Sequence, residues 1–155
     1  MPEAQPYTTA ETVRIIEQVS AGGLPGLLGI SVLKYDHGYF ETELLVRDEL
    51  LLAPGTVLHA GTALTLADTT AGWGCQISLP DDARGFTTIE GKANFLTTAR
   101  AQDVLACEAR VVHAGKTTQV WDATVRRVRD DRLVAAYRCT QSLLKQTRVA
   151  PPENG

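Results

Sequence analysis

A chain of 155 residues, 44% hydrophobic and 21% charged with a formal net charge of −3, is long enough for one domain with a substantial core. It holds no basic run and no basic-aromatic patch, which excludes the usual footprint of a nucleic-acid binder. Cys75, Cys107 and Cys139 lack CxxC spacing and His37, His59 and His113 are scattered, so a zinc cluster is disfavoured and reduced thiols are expected.

The N-terminus MPEAQPYTTAE has no basic and no apolar signal region, and no apolar run approaches about 18 residues. We therefore expect a cytoplasmic protein without a membrane segment. Thr8-Thr9-Ala10-Glu11 reads as a capping box, and Val13, Ile16 and Val19 follow at helical spacing up to Ala21-Gly22-Gly23, predicting a short N-terminal helix. Residues 26–29 read as a loop. Segments 30–35 and 39–47 read as two strands reversing at Asp36-His37-Gly38, with Phe40, Thr42, Leu44 and Val46 on one face of the second.

The stretch 58–78, LHAGTALTLADTTAGWGCQIS, predicts one long helix between the turn-like Ala53-Pro54-Gly55-Thr56 and Pro80. Its surroundings are small or apolar, and Asp68 stands in its middle with no lysine or arginine between Val57 and Pro80. A carboxylate in such a setting is expensive unless a partner or a task keeps it there. Gly61, Gly72 and Gly74 each cost a helix about 1 kcal/mol against alanine, so their presence signals close approach by a neighbour.

Downstream, 86–97, 104–113, 117–128 and 133–144 alternate apolar and polar residues and read as long strands of an antiparallel meander. The expected architecture is α+β: a long central helix on the concave face of a curved antiparallel sheet of about six strands, with a short N-terminal helix. One domain spans 1–155, with flexible ends at 1–7 and 146–155.

The segment Leu58-His59-Ala60-Gly61, six residues, then Asp68-Thr69 resembles the HGG(x)nAD/E motif of hotdog-fold acyl-CoA thioesterases, particularly the phenylacetate-degradation (PaaI-type) branch and the 4-hydroxybenzoyl-CoA thioesterases. Asn94-Phe95-Leu96 and the run from Val111 to Asp122 extend the similarity, which covers about 29–144. The resemblance implies a hotdog fold and an active site shared across a dimer, a donor from one subunit facing the acid of its partner. The assembly is expected to be a homo-oligomer with the dimer as minimal active unit, dimer against homotetramer being open and the tetramer favoured, with no metal and no cofactor beyond the coenzyme A of the acyl-CoA substrate.

Thioester hydrolysis needs water or a carboxylate brought onto a carbonyl carbon, and donors for the oxygen that becomes negative. Asp68 suits the role of nucleophile or general base. The N–H groups of Ala60 and Gly61, at the positive end of the helix, suit an oxyanion. Ala60 and Asp68 are separated by roughly 12 Å along the axis, so one copy of the helix cannot easily offer both to one carbonyl. His59 either orients the substrate carbonyl or hydrogen-bonds the loop.

Two departures from the motif bear on the substrate. Ala60 replaces the first glycine after the histidine, and Gly72 stands four residues after the acid where aryl-specific relatives carry a hydroxyl; Ala53 likewise lacks the polar group of some relatives. Thr69 is positioned to replace that hydroxyl or to bond the helix backbone. Trp73 lines an acyl pocket or packs in the core, and Asn94 lies near the pocket or bonds its sheet neighbours. Arg100, Lys116 and Thr117, at inferred strand ends, are candidates for the CoA phosphates or ordinary solvated groups. The expected activity is hydrolysis of an aryl- or medium-chain acyl-CoA to free acid and CoA. A non-catalytic acyl-CoA-binding protein is the alternative; a hydratase or dehydratase is less favoured, because His59 alone is available for a proton-transfer dyad.

Overall fold

The structure, a computed structural model, describes residues 7–145. The expected flexible ends lie outside the described residues, apart from Tyr7.

Helix α1, Thr9–Ser20, opens on the predicted capping box: the Glu11 N–H donates to Thr8 Oγ1, and the Glu11 carboxylate accepts from the Thr8 N–H at 2.8 Å. Of segment 26–29, expected as a loop, residues 26–28 belong instead to a second short helix, α2, Leu24–Leu28, and Gly29 is its C-cap. Pro25 fits its first turn, where no N–H is needed, and Gly29 ends it in the left-handed region at φ 77°.

Strands β1, Ser31–Asp36, and β2, Tyr39–Leu45, form the expected hairpin. A short 3-10 turn, Asp48–Leu50, leads to helix α3, Ala60–Ile77, and then come β3, Ala83–Phe95, β4, Val104–Ala114, β5, Thr118–Arg127, and β6, Arg132–Lys145. All neighbours pair antiparallel in one six-stranded sheet of order β1-β2-β4-β5-β6-β3.

That order corrects the expected meander. Strands β4, β5 and β6 do follow one another, but β3 pairs with β6 at the far edge and β4 lies beside β2. The physical reason is the path of α3, which crosses the sheet and delivers the chain to its distant edge. The segment after β3 then returns beneath the helix start, where the Leu58 N–H donates to Ala99 O at 2.8 Å and the Val46 N–H to Asp103 O at 2.9 Å.

The core lies between α3 and the sheet face that wraps it. Leu66, Ala67, Ala71 and Cys75 of α3 are fully buried against Leu44, Leu105, Cys107, Trp121 and Val125. Side chains of leucine or valine size each contribute about 1.5–3 kcal/mol when buried. Small residues on α3 let the helix lie close to the sheet, and Thr42 and Thr70 meet there hydroxyl to hydroxyl at 2.7 Å. A second cluster, Val13, Ile16, Phe40 and Trp73, fastens α1 to α3. Along β3 the register shifts between Thr88 and Glu90, leaving Ile89 as an extra residue opposite the Gln141–Thr140 step of β6. Among the described residues no helix is long and apolar enough to cross a membrane.

Candidate active site

Helix α3 places the acid and the helix start in adjoining clefts. His59 is the N-cap: its Nδ1 accepts the Gly61 N–H at 2.8 Å, so in the neutral ring the proton sits on Nε2, facing outward as a donor. The Gly61 N–H, expected among the oxyanion donors, is thus engaged within the cap. The Ala60 N–H has no hydrogen-bond partner among the described residues, and His59 and Ala60 are exposed. Gly61 is needed for this arrangement, since a Cβ there would stand 2.8 Å from His59 Nδ1. His59 and Gly61 line a cleft of about 680 Å³ with Arg47, Leu50, Leu51 and Thr65.

Asp68 lies two turns further along α3, half-buried, beside Thr69 in a cleft of about 520 Å³. Thr65 touches both clefts and marks the ridge between them. Asp68 forms no ion pair among the described residues. Its neighbour is a residue that sequence reasoning missed: the Tyr137 hydroxyl donates to Asp68 Oδ1 at 2.8 Å. Burial, and then the adjacent carboxylate, push the Tyr137 phenol well above its ordinary range, so it remains a donor at any working pH. Leu24, Leu64 and Ile89 supply apolar wall to the same cleft. The alternation of β6 was the available signal, placing Tyr137 on the helix-facing side with Ala135 and Cys139.

The other expected site residues are dispersed. Thr69 shares the Asp68 cleft, whereas Gly72 is buried where a Cβ would meet Phe86 Cζ at 3.1 Å. Trp73 packs edge-on against Phe40, with ring centroids 5.9 Å apart, and borders a groove under α1 with Ile15 and Val19. Asn94 is exposed and lines a separate cleft with Lys92, Asp122 and Arg138, which shares Tyr137 with the Asp68 cleft but does not include Asp68. Arg100 belongs to the loop that bonds the helix start through Ala99. Lys116 and Thr117 sit in the β4–β5 turn near the other end of α3, where the Gln119 side chain donates to Ser78 O at 2.8 Å. The 18 residues of α3 separate those ends by roughly 27 Å. Among the described residues no group of three or more His, Cys, Asp or Glu is placed to share a metal ion.

Chemically, the arrangement offers a carboxylate with one oxygen tied and the other available, in a partly apolar cleft, and a helix start with an unengaged N–H. Comparison with known proteins gives it a lineage. The thioesterase superfamily model matches residues 55–134, from the turn before α3 into β6. A 1,4-dihydroxy-2-naphthoyl-CoA hydrolase of Listeria monocytogenes serotype 1/2a (strain 10403S) is 30% identical over 126 residues, covering 81% of this chain and 99% of that protein. The E. coli PaaI protein of the phenylacetic acid degradation operon superposes with TM-score 0.79 at 23% identity, covering 90% of this chain and 95% of that one, which is a likeness of fold. A conserved protein of Pseudomonas aeruginosa superposes with TM-score 0.70 at 32% identity, covering 77% and 92% of the respective chains. With the family match spanning the helix that carries Asp68 and three of the six strands that wrap it, the chain belongs to the thioesterase superfamily and is a thioester hydrolase of the hotdog fold.

Proposed function

We propose that this chain hydrolyses an aryl- or medium-chain acyl-CoA to the free acid and CoA, with Asp68 as the reacting acid. The observation that carries the reading is the lone carboxylate in the middle of α3, unpaired by any cation among the described residues and opening into a cleft walled by Leu24, Leu64 and Ile89. An apolar wall suits an apolar acyl group, and the Listeria relative is named for an aromatic acyl-CoA. Overall, the C–S bond of the thioester breaks and a C–O bond forms, water supplying the added carboxyl oxygen and the proton with which the sulfur leaves as the CoA thiol. Asp68 either adds to the carbonyl carbon, forming a mixed anhydride that water then cleaves, or removes a proton from the attacking water. The Ala60 N–H and His59 Nε2–H are the donors for the carbonyl oxygen as it gains charge.

This division of labour asks for two subunits. Within one chain the acid and the helix start open into separate clefts on either side of Thr65. A partner helix brings its Ala60 to this Asp68. Strand β3 supports such an assembly: it is a 13-residue edge strand, mostly exposed, and its Ile89 and Gly91 border the Asp68 cleft. We read the dimer as the minimal active unit and the tetramer as its assembled form, with CoA phosphates at Arg100, on the same end of α3 as His59. Lys116 and Thr117 then contribute from a different subunit.

The test is free-thiol release from phenylacetyl-, hydroxyphenylacetyl-, benzoyl- and straight-chain acyl-CoA by wild type and Asp68→Asn. Turnover of at least one aryl or medium-chain thioester, lowered about a hundredfold by the substitution in a folded protein, is the expected result. Equal activity of the two would refute the role of Asp68, and tight acyl-CoA binding without turnover by wild type would make the chain a binding protein.

A further inference from the structure

Asp68 and Tyr137 lie 69 positions apart in sequence, yet the phenol and the carboxylate meet at 2.8 Å. Tyr137 is 5% exposed and belongs to the main core, while it also lines the wall of the Asp68 cleft. Of the other helix-facing positions of β6, Ala135, Cys139 and Leu143 are apolar, and the one amide, Gln141, is bonded by Thr88 of β3 rather than by the helix, so the Tyr137 hydroxyl is the polar group of β6 that reaches a side chain of α3. Across the sheet edge stands Gly91, where a Cβ would lie 2.6 Å from the Tyr137 hydroxyl and 3.1 Å from its Cε2. The φ of Gly91 is outside the left-handed region, so space rather than backbone conformation is what glycine supplies there.

On the reading of Asp68 as the reacting acid, we propose that Tyr137 is a positioning residue that holds Oδ1 so that Oδ2 is presented to the thioester, and that Gly91 leaves it the room to do so. A carboxylate on a helix has two torsions to settle. The phenol fixes them with one hydrogen bond from a ring already immobilised by the core. The high proton affinity of Tyr137 keeps that bond in place across the pH range of the enzyme.

The experiment is steady-state kinetics on an acyl-CoA turned over by wild type, for Tyr137→Phe, Gly91→Ala, their double variant and Asp68→Asn, with thermal unfolding of each. Tyr137→Phe keeps the ring and hence the packing; we expect kcat to fall about tenfold while KM stays within about twofold. Gly91→Ala should reproduce that fall by displacing the hydroxyl, and the double variant should be no slower than either single one, because both remove the same bond. Full activity of Tyr137→Phe alongside an inactive Asp68→Asn overturns the positioning role and leaves the acid intact. An active Asp68→Asn overturns the reading on which the proposal rests. Losses that multiply in the double variant also overturn it, and should Gly91→Ala not fold, Tyr137→Phe decides alone.

Discussion

Gly74 of α3 faces the indole of Trp121 so closely that a Cβ would stand 2.6 Å from Cζ3. The ring has nowhere to go. It is fully buried and its Nε1 donates to Gln119 Oε1 at 2.8 Å, while the Gln119 amide is itself bound to Ser78 O. Helix propensity alone favours Gly→Ala by about 1 kcal/mol, whereas overpacking a fixed core costs about 1–3 kcal/mol. Gly74→Ala should therefore lose up to about 2 kcal/mol net, read from the urea midpoint. Gly72→Ala, facing the partly buried Phe86 at 3.1 Å, should come out near neutral. Stabilisation by Gly74→Ala would mean that Trp121 moves aside freely.

His59 joins helix capping to the site, and substitutions separate the two roles. Asparagine is a good N-cap, so His59→Asn should change stability by less than about 0.5 kcal/mol, while His59→Ala loses about 1 kcal/mol. If Nε2–H serves the developing oxyanion, both lower kcat, by about a hundredfold. Gly61→Ala, whose Cβ would displace the imidazole, should lower kcat to a similar degree. An active, normally stable His59→Asn would confine His59 to the cap.

Acid should loosen the β5–β6 turn in a defined window. Two hydrogen bonds from Arg127, at 2.6 and 2.9 Å, hold the Asp130 carboxyl down at about 2 against an ordinary value of 3.8. Because the folded value is the lower one, the stabilisation is fully present above the ordinary value and is lost as pH falls toward about 2. Asp82, lowered by Lys145, adds in the same direction. Wild type should therefore exceed Asp130→Asn in urea midpoint at pH 6, with the gap closing by about pH 2. A gap independent of pH would refute this account.

The thiols should be silent in the native protein. Burial pushes Cys75 and Cys107 up to about 12 and Cys139 up to about 11, the last helped by the Asp68 charge. At pH 8 a disulfide reagent should label none of the three until denaturant is added. Rapid labelling of a native thiol would show that the core opens at that position.

Much of the fold was legible because it rests on local period. The small residues of 58–78 announced a helix pressed into a sheet, and alternation from Phe40 to Val46 and through β4, β5 and β6 announced the strands. The place of β3 was not legible: alternation records which face of a strand is buried and says nothing of which strand lies beside it. Helix α2 escaped because Leu24–Leu28 holds both a proline and a glycine, which read as loop, although Pro25 in the first turn and Gly29 at the end are suitable helix punctuation. Asp68 stood out as a lone acid among small residues. Tyr137 did not, since its link to the acid exists only once β6 is laid under α3.

The extra residue at Ile89 acts on the site as a phase shifter. Before it, Phe86 and Thr88 pair with Leu143 and Gln141 of β6, both turned toward the helix; after it, Gly91 and Ala93 pair with Cys139 and Tyr137. The inward set of β3 thus changes from even to odd positions within one strand. Without that step the parity would run on, bringing Glu90 and Lys92 to the inner face. A second carboxylate would then crowd the Tyr137 hydroxyl beside Asp68. One unpaired residue, itself only a piece of apolar wall, decides whether a glycine or an acid overlooks the centre of the helix.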